Sequence, residues 1–279
     1  MKRAALCLLL VCLHACGAQS SSRTRARRES CDRTLADIAA AAEGVASIGN
    51  PSTRDAWMQR FAQSVPAGAR VIDVSAGAKP YAHLWTHVDY LTHEFDGNDR
   101  VIDAFRGESG ASAKKHDFSG DVTRTTAPSA SFDVVILTEV LEHVPEPILA
   151  VKELARLCKP GGSILVTAPF TSGSHQEPYH FYAGFSPNWY KHVARKYGLR
   201  IESIASQGDY FKLMAQEVGR SLTCGGRLRG VPQRAIERLV GVASEYLLKL
   251  SSAFGDGSAS KAECASQFAI GYMVHFKKN

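Results

Sequence analysis

From residue 71 onward, short runs of β-branched and aromatic residues alternate with longer stretches whose apolar residues recur every three or four positions. The runs at 71–75, 88–94, 132–138, 163–169, 199–206 and 268–277 predict strands. Between them, Pro147 opens a helix whose inner face is Ile148, Val151, Leu154 and Ala155, and Lys159-Pro160-Gly161-Gly162 stops it after Cys158. Ser186-Pro187 opens another, with Trp189, Tyr190, Val193, Ala194 and Tyr197 on one side. Upstream, residues 31–65 predict two helices, one Ala-rich at 35–46 and one capped by Ser52 and running to about Val65, separated at Gly49-Asn50-Pro51. Residues 211–262 predict helix broken at Gly225-Gly226 and loosened at 255–260, a lid or insertion before the last strand. Nearly continuous apolar strands separated by helices imply a doubly wound, mostly parallel sheet with helices on both faces. There is no internal repeat, so residues 29–279 form a single domain.

Charge changes the picture at one end. The first 28 residues carry Lys2, Arg3, Arg23, Arg25, Arg27 and Arg28 and no acid, which accounts for the whole net charge of +6; the rest holds 27 basic and 27 acidic residues. A nucleic-acid binder would carry its positive charge on the fold, so that class of partner is disfavoured. Residues 1–18 place two basic residues before an apolar run that closes on Cys16, Gly17 and Ala18, the layout of a signal peptide, and residues 20–28 are rich in Ser and Arg. The expectation is a targeting leader at 1–28 that sends the protein to an organelle or the secretory pathway; with a misassigned start, it would be cytoplasmic. Cys31, Cys158, Cys224 and Cys264 are scattered without metal-ligand spacing.

The candidate chemistry sits at strand ends. In a doubly wound sheet the turn after the first strand must let its backbone approach a ligand. Here it reads VIDVSAGAKPY, residues 71–81, with Asp73 closing the strand and Gly77 permitting the turn. The loop lacks G-x-G-x-x-G, so a pyrophosphate cradle and an NAD-linked reaction are poorly supported. Glu94 lies 21 residues after Asp73, where an acid can accept both ribose hydroxyls of an adenosine. Asp121-Val122 precedes the run FDVVILTEVLEHV, residues 132–144.

These segments resemble the class I S-adenosylmethionine-dependent methyltransferases, specifically their type 11 group. VIDVSAGAKPY is similar to the first motif of that family, GDVTRTTAPSASFDVVILTEVLEHVPEP to the second and its extension, and LARLCKPGGSILVTAPF to the strand-helix-strand that follows. The resemblance covers about residues 71–206, with Ser75 standing where the family has its first glycine. It implies a Rossmann-like fold with a seven-stranded sheet, and S-adenosyl-L-methionine as cofactor. It further implies that Asp73, Ser75, Ala76 and Gly77 lie under the methionine moiety, and that Glu94 (or Asp96) holds the ribose. Asp121 and Val122 would hold the adenine, and Thr138 and Glu139 would offer backbone to the amino-acid end.

Methyl transfer from a sulfonium needs alignment and a dry pocket more than a strong base, yet a protonated acceptor calls for a group titrating near working pH. His143, His175 and His180 are the candidate catalytic residues. The segment PFTSGSHQEPYHFYAGF resembles the family loop that closes over the acceptor, which makes Tyr179 and Tyr182 candidate substrate contacts. The spacing of His175 and His180 shows no third ligand, so no metal is expected. The implied activity is methylation of O, N or S on a small-molecule acceptor. Alternatives are a protein that binds the cofactor without turnover, or an NAD-linked enzyme. A membrane-surface role for 227–250 is weaker than a lid helix packed on the core.

Overall fold

The computed structural model describes residues 51–95, 115–224, 233–254 and 267–279. The expected leader, the Ala-rich helix at 35–46, Asp96, Gly225-Gly226 and the segment 255–262 lie outside the described residues.

Helix α1 (Pro51–Gln63) leads into strand β1 (Arg70–Val74), followed by β2 (Asp89–Glu94), β3 (Phe118–Asp121), the two-residue β4 (Arg124–Thr125) and β5 (Phe132–Thr138). Helix α2 (Pro147–Leu157), strand β6 (Cys158–Pro169), helix α3 (Pro187–Lys196) and strand β7 (Leu199–Gln207) complete the alternation. Helices α4 (Tyr210–Cys224) and α5 (Gln233–Phe254) pack on each other before the last strand, β8 (Gly271–Lys278). The sheet order is β4-β3-β2-β1-β5-β6-β8-β7. Strands β3, β2, β1, β5 and β6 are parallel; β8 runs antiparallel between β6 and β7, and β4 antiparallel on β3.

This is the expected Rossmann-like α/β architecture. The seven-stranded frame stands, and β4 adds an eighth, two-residue strand at its edge. Two details differ from the strand pattern. β3 was invisible because FSGD offers one large apolar side chain and sits near the sheet edge, half-buried or exposed throughout. The Lys159-Pro160-Gly161-Gly162 stop does end α2, but it is absorbed into β6, whose pairing with β5 shifts register between Phe132 and Val134.

The period of two along each strand sorts the core into two layers. Ile72, Val74, Val135, Leu137, Ile164 and Val166 face α2 and α3, meeting Val151, Leu154, Tyr190 and Val193. The intervening Val71, Val134, Ile136 and Leu165 face Met58 and Ala62 of α1, with Tyr81 and Trp85. Each such aliphatic side chain contributes about 1.5–3 kcal/mol by leaving water, so both faces must be covered. Ser186 caps α3 through its side chain, which accepts from the Trp189 amide, and Pro187 occupies the first turn where no donor is needed.

The chain runs outward from β1 to β2 and β3, then returns to β5 on the other side of β1. The crevice between the carboxyl ends of β1 and β5 is therefore the switch point of the sheet. Because β7 is parallel to β6, the α4–α5 hairpin that follows β7 emerges at this same carboxyl edge. No helix among the described residues is long and apolar enough to cross a membrane.

Candidate functional site

The loop after β1 is bent by three left-handed residues, Ser75 (φ +58°), Gly77 (φ +53°) and Lys79 (φ +59°). Glycine adopts this conformation freely; Ser75 does so at a cost of about 1–2 kcal/mol. The loop is held by its neighbour strand. The Ser75 amide faces His93 Nδ1 at 3.4 Å, the Ala76 amide donates to the His93 carbonyl at 3.0 Å, and the Gly77 amide donates to Glu94 Oε2 at 2.6 Å. The other Glu94 oxygen accepts from the Phe95 amide at 3.0 Å. Each carboxylate oxygen keeps a further lone pair for a ligand donor. Glu94 thus joins the loop to the end of β2. The fully buried His93 buttresses the loop.

Asp73 is buried; its Oδ2 accepts from the Tyr90 hydroxyl at 2.7 Å, and its Oδ1 has no partner. Burial lifts this carboxyl to about 7, the Tyr90 hydrogen bond opposing and Glu94 adding to the rise. Asp121, at the end of β3, is exposed and accepts from the amide (2.7 Å) and hydroxyl (2.6 Å) of Thr123 through one oxygen, a turn-forming pair. The Val122 side chain is packed in the larger core layer.

Thr138 closes β5. Glu139 follows with φ +53°, its amide donating to the Thr167 carbonyl at 2.9 Å. Its Oε1 accepts from the Thr167 hydroxyl at 2.7 Å and pairs with Arg54 of α1 at 3.2 Å. Arg54 Nε also donates to the Tyr81 hydroxyl at 2.8 Å, which in turn donates to Asp55. Arg54, Tyr81 and Thr167 were not singled out in the sequence. An arginine in the first turn of a helix carries no local signal of where its guanidinium ends.

Beyond β5 the short helical turn Leu141–His143 brings Glu142 and His143 against the loop after β6. The Phe181 and Tyr182 amides both donate to the Glu142 carbonyl, at 2.9 and 3.3 Å, and His143 Nδ1 lies 2.7 Å from the Tyr179 carbonyl. The rings of His143, His175 and His180 are mutual neighbours, with centroids 4.9 Å (His143–His175), 4.6 Å (His175–His180) and 6.0 Å (His143–His180) apart. All three candidate histidines are therefore gathered in one place. Glu142, 2% exposed, joins them. Burial first, then the neighbouring Glu139, pushes its carboxyl well above the ordinary carboxylate range. Burial and the nearby His175 pull His180 below an ordinary imidazole. The Tyr182 hydroxyl donates to the Pro145 carbonyl at 2.9 Å while the residue stays 38% exposed, and Tyr179 contributes its carbonyl to the cluster. Gly184 is obligatory in this loop: a Cβ there would lie 2.1 Å from the Phe170 carbonyl oxygen.

A family model described as a methyltransferase domain matches residues 50–211. A ubiquinone biosynthesis O-methyltransferase of Ralstonia nicotianae is 33% identical over 118 residues, 41% of this chain and 48% of that protein. The protein of the same name in Thiobacillus denitrificans is 35% identical over 99 residues, 34% of this chain and 42% of that one. The chain thus matches about half the length of these curated relatives or less. Among solved structures, phosphoethanolamine N-methyltransferase 2 of Haemonchus contortus is similar at 15% identity and a TM-score of 0.47, over 81% of this chain and 52% of that one.

Proposed function

Because the chain belongs to the methyltransferase-domain family, we propose that it transfers a methyl group from S-adenosylmethionine to a hydroxyl oxygen of a small-molecule metabolite. The observation that carries this reading is the clasp at the switch point, where the Gly77 amide closes on Glu94 at 2.6 Å. It supports a reading in which the turn would lie under the methionine end and the acid beside the ribose, without the glycine-rich cradle that a pyrophosphate needs. Asp73, with an unpartnered buried oxygen, is suited to the cofactor's ammonium group. Asp121 stands on the outer strand for the adenine amino group, with the Val122 amide beside it. Arg54, anchored on Glu139, would supply positive charge for the cofactor's carboxylate.

The acceptor would enter where Glu142, His143, His175 and His180 meet, under Tyr179 and Tyr182. The O-methyltransferase names of the relatives support oxygen as the methylated atom. In the transfer the acceptor oxygen forms a bond to the methyl carbon as the sulfur–carbon bond breaks. The acceptor's proton would leave past the histidine cluster to solvent, and the demethylated thioether would be the second product. Alignment in a site closed from water supplies most of the acceleration.

A thermal-shift titration of the full chain with S-adenosylmethionine, its demethylated product and NAD tests the cofactor. A ligand at 100 times its dissociation constant adds about 2.7 kcal/mol, several degrees for a domain of this size. Shifts with both adenosyl ligands and none with NAD are expected. No shift with either adenosyl ligand would overturn the reading.

A further inference from the structure

We propose that Glu142, His143 and His175 bind a divalent transition-type cation at the acceptor end of the site. One ligand atom from each lies within 4.8 Å of those of the other two. The three are drawn from two segments locked together by backbone: the turn after β5 and the loop after β6, joined through the Glu142 carbonyl and the Phe181 and Tyr182 amides.

The protons are arranged for coordination. His143 Nδ1 lies 2.7 Å from the Tyr179 carbonyl, and His175 Nδ1 lies 2.9 Å from the Gly173 carbonyl. A carbonyl only accepts, so in each neutral ring Nδ1 carries the proton and Nε2 carries the lone pair. This is how metal-binding histidines are commonly oriented. His143 Nε2 stands 3.8 Å from Glu142 Oε1, and Glu142 Oε2 is buried without a hydrogen-bond partner. An ion placed between these two atoms would take a lone pair from each. His180, whose Nε2 is buried without a partner and whose ring is 4.6 Å from that of His175, stands ready as a fourth or outer ligand.

Two imidazoles and one carboxylate favour zinc or a similar transition ion over magnesium, which prefers oxygen and water. Three protein ligands leave open positions, as catalytic sites require. With bonds of about 2.0–2.2 Å, the ligand atoms would draw together when the ion enters. Resting on the methyl-transfer reading, an acceptor hydroxyl in an open position would release its proton to solvent. Its oxygen would then attack the methyl carbon as the sulfur–carbon bond breaks. The spacing of His175 and His180 alone showed no third ligand; the fold brings Glu142 and His143 to His175.

The test uses the full chain, stripped with a chelator and titrated by calorimetry with zinc and, in parallel, magnesium, without S-adenosylmethionine. Wild type should bind one zinc ion, and Glu142→Gln and His175→Ala should each weaken it at least tenfold. The exposed His83→Ala should bind like wild type, and magnesium should not compete at millimolar concentration. Cobalt substitution should give visible absorption bands that His175→Ala loses. Folding of each variant is checked by circular dichroism, and His175→Ala, in a surface loop, serves if Glu142→Gln does not fold. Absence of a one-equivalent zinc site in wild type, or equal zinc affinity in a folded His175→Ala, overturns the proposal. Because no adenosyl ligand is present, that outcome leaves the cofactor reading to its own titration.

Discussion

Asp73 and Glu94 lie near the carboxyl ends of adjacent strands of one sheet, yet their environments divide their roles. Asp73 is sealed from water and held near 7, so the folded state binds a proton that the unfolded chain, with an ordinary carboxyl near 3.8, releases. The sign follows: below about pH 4 this group costs nothing. As pH rises towards 7 the folded protein must ionise a buried acid, and the cost is fully present above 7. Asp73→Asn, which still accepts from Tyr90, should be at least as stable as wild type in the unliganded protein at neutral pH. Its advantage in Tm should shrink steadily as pH falls from 7 to 4, as thermal melts across that range would show. Glu94 is partly open and already grips the loop. Glu94→Ala should weaken S-adenosylmethionine by about 10–100-fold, the loss of hydrogen bonds to a charged acceptor at about 1.5–3 kcal/mol, measured by calorimetry. The spacing of Asp73 and Glu94 was readable in the sequence because both are fixed to strand ends. The shift of Asp73 was not, because it depends on Tyr90 and on what covers it.

At the scale of elements, the site is built by joints between segments distant in sequence. The turn after β5 and the loop after β6 form one unit only through backbone pairing at Glu142. The helical hairpin has a joint of its own. Asp209 Oδ1 accepts from the Phe211 and Lys212 amides at 2.9 and 3.0 Å, capping α4, and Oδ2 accepts from Ser251 on α5. Asp209→Ala should therefore destabilise the protein by about 1 kcal/mol from the cap alone. A fall of a few degrees in Tm, with the sheet's circular dichroism intact, is the expected result. Sequence periodicity predicted the helices in this region but not their joint, since Asp209 and Ser251 are 42 positions apart. β3 and β4 carry no sequence signal for a related reason. A short, poorly buried edge strand has no apolar rhythm and forms only against a neighbour already in place.

For the whole molecule, the alternation of strand and helix, the two apolar faces and the carboxyl-edge position of Asp73, Glu94, Thr138 and Glu139 were determined by the sequence itself. These follow from periods of 2 and 3.6 residues and from turn chemistry, which act over a few neighbours. The tertiary structure alone decided that Arg54 reaches Glu139 from α1 and that His93 supports the loop of the neighbouring strand. It alone placed Glu142 and His143 beside His175. Such meetings are set by strand order and by the return of the chain across the sheet. They join residues 18 to 85 positions apart, a separation over which no local pattern survives.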